Sequence, residues 1–209
     1  MNTEVFVFAD WEAVKEPLLV GTLRASVTKN KEHFSFNYDK AWLASSFAQQ
    51  IDPDLHFSSA MTQLGYYDGD YEASYLELAQ FLTDQGSNTK QDIAQLWRRI
   101  VFNIAVSNTD DHLRNHGFIY KNNGWILSPA YDINPVASAN GLHLNISDND
   151  NSLSYDLAME VIDFFQLKKS ESQKIKDDVC NCVAPWRVVA DKVGVGRADQ
   201  EYMRVVFNV

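Results

Sequence analysis

Residues 91–106 constrain this chain more than any other stretch. Ile93, Leu96, Trp97, Ile100, Val101 and Ile104 recur three and four apart, the spacing that gathers side chains on one face of an α-helix. Ser87 and Asn88 stand ahead as candidate N-caps, so the pattern predicts a long amphipathic helix ending near Val106. Such a helix owes most of its stability to burying its apolar face, so the flanking sequence must supply the covering elements. Directly after it comes a polar loop, Ser107 to Asn115. Then Gly117-Phe118-Ile119-Tyr120, the turn Asn122-Asn123-Gly124, and Trp125-Ile126-Leu127 predict a β-hairpin, with Asn-Gly supplying the positive φ angles of a type I′ turn. Pro129-Ala130-Tyr131-Asp132-Ile133 follows.

The rest of the chain reads differently on either side. Upstream, Val5 and Val7 alternate with Phe6 and Phe8, Val20-Gly21-Thr22-Leu23 follows a turn at Pro17, and His33 to Tyr38 alternates polar with apolar. This period of two predicts a small antiparallel sheet. Asp39 to Ala44 suggests a short capped helix or turn, broken by Asp52-Pro53-Asp54. Downstream, Leu157, Ala158, Val161, Ile162 and Phe165 form one helical stripe, and Ile175, Val179, Cys182, Val183 and Trp186 another. Ser154 and Ser170 are plausible helix starts, and Pro185 should kink or divide the second stripe. The expected fold class is therefore α+β: a small antiparallel β subdomain over residues 1–54, then a mainly helical lobe over 55–209 that carries the hairpin.

Composition bounds the function. The chain has 209 residues, 45% apolar and 22% charged, enough to bury a sizeable core. Nothing approaches the roughly 18 consecutive apolar residues of a membrane span, and the N-terminus lacks the basic region and apolar run of a signal peptide. A cytoplasmic protein without a membrane partner is expected. Eighteen basic against 28 acidic residues give a net charge of −10, which disfavours direct nucleic-acid binding, because phosphate backbones are held by Lys and Arg. Cys180 and Cys182 lack the second ligand pair of a zinc site and read as reduced helix residues. His143 alternates with apolar neighbours and reads as a strand residue, and Gly65-x3-Gly69 reads as a loop. The alternating acids from Asp148 to Asp156 resemble a calcium loop, but Leu153 and Met159 stand where Gly and Glu are needed.

The chemistry lies in an order of elements: long helix, polar loop with Asp110 and, five residues on, Asn115, then a hairpin, then Asp132. Protein kinases use this layout. An Asp orients and deprotonates the substrate hydroxyl, an Asn holds Mg²⁺, and a second Asp bridges metal to nucleotide phosphates. Phosphoryl transfer needs positioning and charge neutralisation, and two carboxylates with one amide oxygen are hard ligands and proton acceptors suited to it. The lobe over 55–209 is thus expected to be protein-kinase-like.

The segment Ser107-Asn108-Thr109-Asp110-Asp111-His112-Leu113-Arg114-Asn115-His116-Gly117-Phe118, followed by Leu127-Ser128-Pro129-Ala130-Tyr131-Asp132-Ile133, resembles the catalytic and metal-binding motifs of HipA-type serine/threonine kinases, toxins of bacterial toxin–antitoxin modules. Further similarity lies in Ser59 to Gly65, in Ala73 to Glu77, and in Val20-Gly21-Thr22-Leu23 with Phe34 to Leu43, which resembles that family's small N-terminal subdomain. The resemblance implies Asp110 as catalytic base, Asn115 and Asp132 as Mg²⁺ ligands, and His112 and Arg114 as shapers of the loop that reach a nucleotide phosphate. It implies ATP as cofactor, a protein hydroxyl as acceptor, and an antitoxin-like DNA-binding protein as partner. Asp111 reads as a solvated neighbour.

The sequence departs from the family in one place. The family carries a large nucleotide-binding lobe between the N-terminal subdomain and the catalytic half, whereas here the match passes from about Asp54 to about His56. From Ala41 to Thr89 there is no Lys or Arg, against Asp52, Asp54, Asp68, Asp70, Glu72, Glu77 and Asp84, a composition unable to cradle a triphosphate. The expected function is a HipA-like kinase or a derivative with weak or no activity. The alternative is a non-catalytic interaction module that binds an antitoxin-like or toxin partner. Loss of a lobe would also uncover apolar surface around Phe57 to Tyr71, an expectation of self-association.

Overall fold

The computed structural model describes residues 2–9, 16–28, 31–45, 56–67, 69–70, 72–137 and 140–209. The chain divides into two units, Met1–Pro53 and Asp54–Val209. The break at Asp52-Pro53-Asp54 lies outside the described residues.

The first unit is an antiparallel sheet of three strands in the order β1 (Asn2–Ala9), β2 (Leu18–Thr28), β3 (Lys31–Tyr38). Val5 pairs with Leu23 and Leu23 with Phe36, so the period-two patterns meet in register. Gly21 is required where it sits: a Cβ there would lie 2.3 Å from the Asn37 carbonyl oxygen and 2.7 Å from the Phe36 ring. α1 (Lys40–Ala44) starts because the Asp39 carboxylate accepts the Ala41 N–H at 2.7 Å. It presents Trp42, the buried large side chain of this unit among the described residues.

The second unit begins with β4 (Phe57–Ser59), capped by Ser59 into α2 (Ala60–Leu64), which Gly65 ends in the left-handed region at φ +76. α3 (Tyr75–Gln85) opens with a capping box in which Ser74 and Glu77 satisfy each other's backbone N–H groups. α4 (Thr89–Val106) is the long helix of the 91–106 pattern. After the loop come β5 (Gly117–Lys121) and β6 (Gly124–Leu127), which with β4 form a second antiparallel sheet in the order β4-β5-β6. The tail holds α5 (Tyr155–Glu160), a 3-10 turn over Ile162–Phe165, α6 (Lys169–Val183), α7 (Trp186–Lys192) and α8 (Arg197–Met203). Pro185 separates α6 from α7, as its missing N–H dictates. This is the expected α+β class. No helix among the described residues is long and apolar enough to cross a membrane.

α4 organises this core. Ile93, Leu96, Trp97, Ile100, Val101 and Ile104 are fully buried, packed with Tyr75, Leu78 and Leu82 of α3, Phe118 of the hairpin, and Ile175 and Val179 of α6. The Trp97 indole N–H donates to the Ala158 carbonyl at 3.1 Å, so its polar end is satisfied within the core.

Three local expectations change. The hairpin turn is type I′, but Asn122 and Asn123 carry the positive φ angles, at 57 and 59. Gly124 instead pairs with Lys121 and is needed because a Cβ would meet Ser87 at 2.9 Å. His143 lies in irregular backbone rather than a strand: among the described residues the segment's β-pairing is the isolated Ser74–Asn145 bridge. α6 starts at Lys169, where the Glu171 carboxylate accepts the Lys168 backbone N–H at 3.0 Å, rather than at Ser170. Cys180 and Cys182 are free thiols on α6, as expected.

Candidate active site

The site grows from the C-terminus of α4. Ser107 ends the helix in the left-handed region at φ 49, and the unpaired carbonyls of the last turn are taken up. The Asn108 N–H donates to Asn103 O at 2.9 Å, and Asn208 donates to Ala105 O and Ile104 O at 2.8 Å each. The Ser107 carbonyl accepts the Val136 N–H at 3.0 Å. The loop that starts here is therefore held at its root by two later segments of chain.

Its inner side is a buried polar cluster. Asp111 is only 1% exposed, and a single carboxylate oxygen, Oδ2, accepts from the Tyr75 hydroxyl, from Asn103 Nδ2 at 2.7 Å and from His116 Nε2 at 2.9 Å. Burial alone would raise the Asp111 carboxyl. The charge and hydrogen bond of His116, the Tyr75 hydroxyl and the charge of Arg99 outweigh burial and hold it below the ordinary carboxylate range. The expectation that Asp111 is a solvated neighbour is thus corrected: it is the hub that fastens the loop to α3 and α4. Burial and the Asp111 charge push the Tyr75 phenol well above its usual value, so it stays a neutral donor.

Arg99 and Asp92 extend this back wall along α4. The buried Arg99 guanidinium donates to the Ser128 carbonyl, and burial lowers its pKa against the pull of Asp111. Asp92 accepts the Leu127 N–H at 3.0 Å, and its burial raises its carboxyl. The strand leading to Asp132 is pinned to the helix by these two contacts.

The outer side faces a cleft of about 270 Å³. Asp110, His112 and Arg114 line it, opposite Tyr66, Asp70 and His143. The His112 and His143 rings stand edge to face, with centroids 5.7 Å apart. Burial lowers the His143 imidazole, the neighbouring His112 lowers it further, and Asp110 counteracts both. Asn115 is buried behind the wall, where its Nδ2 donates to the Asp110 carbonyl at 3.0 Å and leaves Oδ1 as the acceptor of its amide. Asp132 lies on the loop after the hairpin rather than on the cleft wall. Its φ is +54, a left-handed conformation uncommon outside glycine. Its Oδ1 accepts from Asn134 at 2.9 Å, and the preceding Tyr131 hydroxyl donates to the Arg114 carbonyl at 2.8 Å. Asp110, His112 and Arg114 therefore share one cleft, Asn115 is latched to Asp110, and Asp132 follows Tyr131, whose hydroxyl is bonded to the Arg114 carbonyl.

Hard oxygen donors suit Mg²⁺, which takes one or two carboxylates and completes its shell with water and phosphate oxygens. Asn115 Oδ1 and Asp132 are of that type. Among the described residues no group of three or more His, Cys, Asp and Glu side chains gathers as a metal cluster.

Tyr75, Asp92, Arg99, Asn103 and His116 support the loop without being marked by the motif. A signal existed: Asp92, Arg99 and Asn103 are seven and four residues apart, polar positions on the apolar face of α4. Buried polar groups in such a stripe require partners.

The chain is 31% identical over 90 residues to a Haemophilus influenzae protein named "Putative kinase", covering 43% of this chain and 26% of that one. Its fold is similar to that of HipA from Shewanella oneidensis MR-1, solved with HipB and operator DNA, with a TM-score of 0.61 at 12% identity, over 98% of this chain and 61% of that one. The chain thus spans about a quarter of the curated relative and less than two thirds of the solved one. Residues 24–187 match the HipA-like C-terminal domain, a span that begins within β2 and takes in the whole loop, hairpin and Asp132 segment. The chain belongs to the HipA-like C-terminal domain family.

Proposed function

We propose that the second unit is the catalytic half of a HipA-like phosphotransferase acting on a protein hydroxyl, with Asp110 as general base. The observation that carries this reading is the latched loop: Asp110 stands on the wall of a polar cleft while its own carbonyl is held by Asn115. A carboxylate so placed takes a proton from a hydroxyl brought within hydrogen-bond reach. His112 and Arg114 supply donors and positive charge to the same wall. Asn115 and Asp132 would hold Mg²⁺, which supplies charge neutralisation at phosphate oxygens when bound.

The chain's own residues from Ala41 to Thr89 offer no Lys or Arg for a triphosphate. We infer that nucleotide binding is weak unless a second chain supplies the cradle, and that an antitoxin-like protein is the natural partner, by analogy with the HipA–HipB complex of the solved relative. The test is phosphotransfer from γ-labelled ATP in Mg²⁺, alongside melting curves with and without Mg²⁺. Turnover far below the roughly 1–100 per second of kinases, abolished by Asp110→Asn, is expected, with a Mg²⁺-dependent rise in Tm lost in Asp132→Asn. Turnover unaffected by Asp110→Asn, or the absence of both turnover and Mg²⁺ stabilisation, overturns the reading.

A further inference from the structure

A second concavity, of about 490 Å³, opens beside α3, and none of its lining residues belongs to the candidate active site. Its apolar surface is built from Leu64, Phe81 and Trp125, all half-buried. Phe81 is fixed there by its ring contact with Phe118, centroids 4.3 Å apart, and Trp125 by an edge contact with Tyr120 at 5.3 Å. These aromatics are rigid because the core holds them from behind, which lowers the entropic cost of using them as a binding surface.

The polar lining has one sign. Glu77 and Asp84 are the charged residues of the groove, joined by Gln63, Gln80 and Gln85, and the lining contains no Lys, Arg or His. Glu77 is set in place by the Ser74 N–H at 2.8 Å and the Tyr66 hydroxyl at 2.7 Å. Asp84 accepts both contacts of the Gln80 amide at 2.9 Å. All these contacts come from neutral donors, so both negative charges stand without a cation among the lining residues. Every lining residue except Trp125 comes from the stretch 41–89, which has no Lys or Arg.

An aromatic and aliphatic floor under a carboxylate rim matches one kind of occupant. We propose that this groove docks a basic amphipathic peptide segment of a partner protein, with apolar anchors on Phe81 and Trp125 and Lys or Arg against Glu77 and Asp84. Helix-in-groove and extended-peptide recognition both work this way, with apolar anchors for affinity and charge for orientation and on-rate. Nucleic acid is excluded as occupant by the sign of the rim. The Asp110 cleft and this groove have no lining residue in common, and the Tyr66 hydroxyl on Glu77 is a contact between their walls.

The test uses the full chain and a fluorescein-labelled peptide of about twelve residues in which a Lys-Arg run precedes spaced leucines, read by anisotropy. Saturable binding is expected, weakening as salt rises through the range where the Debye length falls below about 10 Å. Asp84→Lys, at an exposed position and with a melting curve checked against the native chain, should weaken it about tenfold or more. Replacing the leucines by serine, or Lys and Arg by Glu, should abolish it, and Asp110→Asn should leave it unchanged. No saturable binding, binding indifferent to Asp84→Lys, or binding lost in Asp110→Asn overturns the proposal; the last outcome would move the peptide to the catalytic cleft.

Discussion

Asp110 and Asp111 are adjacent and carry the same formal charge, yet the two sides of the loop treat them oppositely. Asp110 is exposed on the cleft wall, and Asp111 is sealed behind it with three donors on one oxygen. The difference comes from what faces each. Toward solvent, a carboxylate keeps its hydration and is available to a ligand. Toward the core, it loses that hydration and is tolerable only with hydrogen bonds that replace water. The inner face therefore sets the position of the loop, and the outer face is what that position presents. Substitutions at the two residues should separate stability from chemistry.

The largest effect is expected at Asp111. Asp111→Ala removes the acceptor of Tyr75, Asn103 and His116 together and leaves buried donors without partners. Breaking a buried charged pair in this way costs about 3 kcal/mol or more, a fall in Tm of roughly 6–12 °C for a unit of this size. A melt within about 2 °C of the native chain would show that the cluster does not anchor the loop.

That difference between neighbours was only half legible in the sequence. The helix, the hairpin and the order Asp110, Asn115, Asp132 are local signals: periodicity, turn chemistry and spacing. The inner cluster is not local. Tyr75 lies 36 residues before Asp111 and belongs to another helix, so only the packing of α3 on α4 makes it a partner. His143 escaped for the same reason: alternation with leucines suggested a strand, but its ring is held by His112 across the cleft. Asn122 and Asn123 tolerate the left-handed region through their short polar side chains, which moved the turn one residue from the Asn-Gly pair. What the residues at 92, 99 and 103 did offer was a discordance, polar groups in an apolar stripe. That discordance marked the place without naming the partners.

An intermediate effect concerns pH. The folded Asp111 carboxyl titrates below its unfolded value, which is about 3.9. Its contribution is fully present above that value and is lost as pH falls through the lower folded pKa. Asp92 works the other way: burial raises its carboxyl, so it withholds stability at neutral pH and returns it as pH falls. The two signs separate if the native chain is compared with Asp111→Asn across pH. The difference in Tm should be constant near neutrality and narrow below about pH 4, since only the native chain loses the stabilisation from the Asp111 carboxylate. A gap that stays constant into acid would mean that the carboxylate charge of Asp111 contributes nothing beyond its shape.

The smallest effect on stability belongs to Asp110, whose charge acts on the cleft and not on the core. Asp110→Asn changes an exposed side chain, while the bond that latches Asn115 is made by the Asp110 carbonyl and survives the substitution. Stability should move by no more than about 0.5 kcal/mol. The charge, however, is gone from the cleft, and Asp110 is the carboxylate that most raises the His143 imidazole against burial and His112. The His143 pKa should therefore fall further below its already lowered value, a shift readable from imidazole resonances in a pH titration. A stable variant with a displaced His143 titration shows a charge acting on the cleft alone. A variant with an unmoved His143, or with a melt as low as that of Asp111→Ala, shows instead that the two faces are one structural unit and that Asp110 has no separate work to do.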